Sequence, residues 1–236
     1  MVCTKLPLTQ AEEDNLAPAV DFATRVDGSL TRLQRGHIDI LLLHNPRDEL
    51  DWPQFDQSVF RCLQEQGKII AYGVSSRSLA GARRVIAAGF GSCLEWAFHL
   101  FERRPAEILF PDLASRRMNF VARSPLSRGL ISRKYLGNSH VRFDPSTFRS
   151  TLPQAWIDWT VECLQQLKVL GIDPETIVTF ALRYCLSYPE VSMVVPGLRS
   201  KRHIDALIKA ASSGPLEADR IRDLEQAIPA SYPPWS

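Results

Sequence analysis

Short apolar runs alternate with stretches of helical spacing along most of the chain, and no other feature limits the fold so tightly. The runs are residues 2–4, 38–43, 69–74, 93–98, 120–122 and 191–195. The second of them shows little polar alternation, as expected of a parallel strand covered on both faces. Between the runs lie segments with apolar residues three and four apart. One spans 9–36, opened by Thr9 and Glu12 at capping-box spacing. Others span 55–66, 79–88, 105–117, 155–170, 175–186, 201–211 and 216–228. Strand, helix and parallel strand in succession form right-handed units. The expected class is therefore α/β, with about six parallel strands and surrounding helices; a closed eight-stranded barrel would need two more.

At 236 residues the chain is expected to form one domain, 1–236, and the Ser-, Arg-, Gly- and Pro-rich stretch 124–153 to be a long loop over a site. Lys plus Arg number 28 against 26 Asp plus Glu, without a long block of one sign, so neither nucleic acid nor a membrane surface is expected as a partner. No apolar run approaches the length of a membrane span and no signal-peptide pattern opens the chain, which points to the cytoplasm. Five scattered cysteines fit a reducing compartment, with Cys62, Cys93, Cys163 and Cys185 expected to be buried thiols. No cluster has metal-ligand spacing, so no metal is expected.

Six motifs then fall in order: Thr4-Lys5, IDILLLHNP at 38–46, GKIIAYGVSS at 67–76, ERRP at 102–105, SPLSRGLISRKY at 124–135 and VVPGLRS at 194–200. Together they resemble the aldo-keto reductases. The resemblance implies an incomplete TIM-type (β/α) barrel, with chemistry at the carboxyl ends of its strands. It also implies NADPH as cofactor and a catalytic tetrad of Asp, Tyr, Lys and His. Lys5 matches the lysine and His44 the histidine, while the family's first two strands, with the Asp and Tyr, have no counterpart here.

Other departures touch the cofactor. Ser75-Ser76 stands where Ser-Asn is usual, Glu95 for Gln, Arg123 for an aromatic residue, and His203, Ala206 and Leu207 for the residues at the adenosine end. The expected catalytic residues are His44, Lys5 and Glu95. Ser75, Ser76, Arg123, Ser124, Arg199, Lys201 and Arg202 are cofactor residues if NADPH binds, and Trp52 and Trp96 face substrate. The last two also fit plain packing, Glu95 and Arg123 a structural ion pair, and His99 a capping or surface position.

Without the phenol as proton donor, the leading expectation is a repurposed enzyme. It would use His44 for cofactor-independent dehydration, isomerisation or cyclisation of a small organic substrate, with no cofactor favoured. An NADPH-dependent carbonyl oxidoreductase with another proton donor, and a non-catalytic binding protein, are the alternatives. An incomplete barrel leaves strand edges open, so a homodimer is expected.

Overall fold

A computed structural model describes residues 1–137, 141–198 and 200–233. Six strands, β1 (Cys3–Leu6), β2 (Ile38–His44), β3 (Ile69–Ser75), β4 (Cys93–Ala97), β5 (Asn119–Arg123) and β6 (Val191–Val195), form one sheet in chain order. Helices α1 (Gln10–Asp14) and α2 (Phe22–Leu33) follow β1, α3 (Ser58–Glu65) follows β2 and α4 (Leu79–Ala88) follows β3. Next come α5 (Arg104–Ile108), α6 (Phe110–Arg116), α7 (Gln154–Val169), α8 (Ile177–Leu186), α9 (Lys201–Ser212) and α10 (Ala218–Ala227). The expected α/β class and six parallel strands are what the structure contains. Among the described residues no helix is long and apolar enough to cross a membrane.

Two predicted helices are each divided. The segment 9–36 breaks after α1, where Leu16 takes a left-handed φ of 53° and Pro18 follows. The break is bridged by Glu12, whose carboxylate accepts from the backbone N–H groups of Thr9 (2.6 Å) and Ala19 (2.9 Å) and from Arg25 (3.0 Å). Burial pushes the Glu12 carboxyl up, but these donors outweigh it and hold the group below its usual value. The segment 105–117 divides into α5 and α6, with Pro111 at the start of the second, where its missing N–H costs nothing.

The chain forms two compact units, Met1–Trp96 with Ile108–Val121, and Ala97–Glu107 with Ala122–Ser236. In the first, one face of the sheet is sealed by Leu41, Leu43, Val74 and Leu94, all fully buried. Tyr72 on the same face stacks on Phe60, with ring centroids 4.8 Å apart, and Phe60 meets Phe22 at 5.3 Å. Gly73 is required by close approach: a Cβ there would lie 1.7 Å from the Cys93 carbonyl oxygen.

In the second unit Phe98 packs edge-on to Tyr188, centroids 5.0 Å apart. Arg103 is buried and donates to the carbonyls of Leu100 (2.8 Å) and Ile228 (2.6 Å). This satisfies an acceptor just past the end of α10. Arg104 pairs with Glu102 at 2.6 Å. The arginines of the 102–105 motif are thus used inside the protein.

Candidate functional site

Register places the site. Lys5 pairs with Leu42, Leu42 with Gly73 and Gly73 with Cys93; two residues further on, His44 pairs with Ser75 and Ser75 with Glu95. Side chains alternate along a strand, so Cys3, Lys5, His44, Ser75, Cys93 and Glu95 share one face, opposite the aromatic cluster. Lys5 and Glu95 nevertheless stand on strands three spacings apart, about 14 Å in a flat sheet. Their side chains form an ion pair. The sheet of the first unit is therefore curled.

Glu95 is fully buried, while the Lys5 side chain is 24% exposed. The Ser75 hydroxyl donates to the same Glu95 oxygen, Oε1, at 2.7 Å. Burial raises the Cys3 thiol to about 12, with the Glu95 carboxylate adding to the rise and the Lys5 ammonium opposing it. Cys93 is raised too, by burial. Neither thiol is a ready nucleophile at neutral pH. Cys93 is the buried thiol expected from sequence; the placing of both cysteines on this face went unread, although counting in twos from Lys5 and Glu95 finds it.

His44 is exposed at the end of β2. The burial of β2 ends one residue earlier, at Leu43. Lys5, His44, Ser75 and Glu95 thus lie on one face of the sheet. Ser76 is buried beside them, its hydroxyl donating to the Ser78 carbonyl at 2.8 Å.

Trp52 and Trp96 do not join this face. Trp52 is 2% exposed and packs on Phe90 at 4.6 Å and Phe55 at 5.7 Å, so solvent exclusion by neighbouring rings replaces the expected substrate contact. Trp96 follows Glu95 directly and by alternation points to the other face, where it is buried. Cys62 is exposed rather than buried.

The second unit holds the remaining candidates. Arg123 ends β5, and Ser124 opens a tight turn with φ 56°, its carbonyl accepting from Ser127 N–H at 2.8 Å. His99, expected to be a surface or capping residue, is buried, and its Nδ1 accepts from Phe101 N–H at 3.2 Å. Burial, helped by the nearby Arg128, Arg103 and Arg123, lowers it to about 3. Lys201 and Arg202 are exposed in the first turn of α9, whose cap Ser200 accepts from His203 N–H at 3.4 Å. Arg199 lies outside the described residues.

The family described as the aldo/keto reductase family matches residues 1–229. An uncharacterized oxidoreductase, YqkF of Bacillus subtilis, is 27% identical over 205 residues, 85% of this chain and 63% of that protein. A probable voltage-gated potassium channel subunit beta of Oryza sativa is 24% identical, over 87% of this chain and 66% of its own. The chain thus spans a little under two thirds of these relatives. Among solved structures, the holo form of aldo-keto reductase AKR11C1 from Bacillus halodurans is similar with a TM-score of 0.73 at 23% identity, covering 98% of this chain and 73% of that one. That likeness shows the TIM-type (β/α) fold, of which these six parallel strands form part.

Proposed function

The chain belongs to the aldo/keto reductase family, and from that premise we propose that it is an NADPH-dependent oxidoreductase of small organic carbonyl compounds, with Lys5 and His44 addressing the carbonyl oxygen. The observation that carries this reading is the shared face. A partly exposed ammonium held by a buried carboxylate and an exposed imidazole stand beside each other at strand ends.

The residues present fit the phosphate end of such a cofactor. The first turn of α9 holds Lys201, Arg202 and His203 and no acid. Cations at the positive end of a helix oppose its dipole, and a phosphate relieves both. Lys201 and Arg202 would hold it. In the first unit Ser75 and Ser76 direct their protons to Glu95 and to the Ser78 carbonyl, which leaves their lone pairs to accept. The expectation that no cofactor is used gives way here to its NADPH alternative. The family match and the holo-form neighbour support that choice.

When bound, the nicotinamide supplies hydride to the carbonyl carbon. The chain's own part is polarisation of the oxygen. Lys5 has three N–H donors and gives one to Glu95, so the others can meet an oxygen on its exposed side. His44 adds a donor from the neighbouring strand and can pass a proton from solvent.

The test is fluorescence titration with NADPH and NADH, joined to turnover of a panel of aldehydes and ketones. NADPH is expected to bind more tightly than NADH, with the difference lost in Lys201→Glu/Arg202→Glu. His44→Ala is expected to slow turnover by about 10²-fold, the worth of one oxyanion donor. Absence of NADPH binding and of any NADPH-linked turnover overturns the reading. One observation favours a second reading, acid/base chemistry without nicotinamide: the buried Glu95 charge beside Lys5. Product formed without NADPH and abolished by His44→Ala would establish it.

A further inference from the structure

Among the first unit's polar side chains, Glu95 is the one whose burial most needs a reason. A carboxylate withdrawn from water is costly unless charge and hydrogen bonds compensate it. Here the compensation comes from two groups on the same face: the Ser75 hydroxyl, itself fully buried, and the Lys5 ammonium. Ser75 is fixed by register beside Glu95 and donates to the oxygen that Lys5 also meets. The oxygen is therefore held from one side by a short, rigid side chain. Lys5, reaching from β1, is a long side chain that the same oxygen holds in place.

We propose that Glu95 is the positioning residue of Lys5, a buried counter-ion from β4 that fixes the ammonium on the concave face so that its remaining N–H groups point at an incoming carbonyl. The inference deepens the carbonyl reading above and rests on it. Lysine has four rotatable bonds, and an unanchored ammonium would sample many positions. Anchored at a buried oxygen, it keeps one. Glu95, called catalytic from sequence, touches no substrate in this account and acts through Lys5.

Cys3 is a built-in reporter. Its thiol faces Glu95, Lys5 and Cys93, and the Glu95 carboxylate opposes formation of its thiolate. The experiment compares wild type, Glu95→Gln, Glu95→Asp, Lys5→Met and Lys5→Met/Glu95→Gln, all in a Cys62→Ser background so that the exposed thiol is removed. Iodoacetamide labelling of Cys3 is followed by mass spectrometry, and aldehyde reduction by NADPH absorbance.

Glu95→Gln keeps shape and loses charge. It is expected to lower kcat by about 10²-fold, the effect of a displaced group, with KM changed less than about threefold. Glu95→Asp should recover part of the loss. On this account Glu95 serves turnover through Lys5, so the double variant should turn over no more slowly than Lys5→Met alone. Cys3 should label faster in Glu95→Gln, because the carboxylate that opposes its thiolate is gone.

Unchanged labelling overturns the inference, whatever the turnover. So does a double variant in which the two losses multiply. A wild type without NADPH turnover, with Cys3 labelling still accelerated by Glu95→Gln, removes the carbonyl reading but leaves Lys5 paired by Glu95.

Discussion

His99 shows how burial alone decides a protonation state. Its pKa, lowered to about 3 from the ordinary 6.5, leaves it neutral in the folded protein at any moderate pH. Between those values the unfolded chain binds a proton that the folded one refuses, so stability falls as pH falls. The loss begins near 6.5 and continues to about 3, and between pH 7 and pH 5 it amounts to about 2 kcal/mol. Urea unfolding at those two pH values measures it. His99→Gln should remove most of the difference; an unchanged pH dependence in that variant would assign it to other groups. Nothing around His99 in sequence announced this burial, and two of the three arginines that help depress it, Arg123 and Arg128, come from a later segment. Lys5 and Glu95 are the contrary case: each was legible as a candidate from its place on a strand, while their pairing across three strand spacings depends on curl, which no local pattern encodes.

At the scale of elements, the strands were the most legible part, since six apolar runs at the right spacing leave little choice. Helix ends were less so. The sequence predicts one helix over 9–36, and the Thr9 capping box is present as read. The chain then leaves the helix at Leu16 and re-enters at Phe22, and the joint depends on Glu12 gathering donors from both sides. Glu12→Ala is expected to cost about 2 kcal/mol by removing the hydrogen bonds that these donors make to a charged carboxylate, and to release the amides of Thr9 and Ala19 to hydrogen exchange. Retained protection at both amides would show that the joint holds without the carboxylate. Alternation along β4 was equally readable: Glu95 and Trp96 are adjacent and cannot share a face, which is why only one of them stands with Lys5.

At the scale of the whole molecule, among the described residues β1 borders β2 alone and β6 borders β5 alone. Unpaired strand edges invite pairing. We propose that two copies of the chain associate through such an edge, and light scattering at micromolar concentration should give twice the 26.6 kDa of one chain; a single-chain mass contradicts it. The functional account reaches further and stands on one transfer. Aldehyde is turned over with NADPH carrying deuterium at the nicotinamide C4 positions, and the alcohol is weighed. The expected result is an alcohol one mass unit heavier, formed by wild type and about 10²-fold more slowly by His44→Ala. Product without deuterium, at a rate that ignores the nicotinamide, would contradict it.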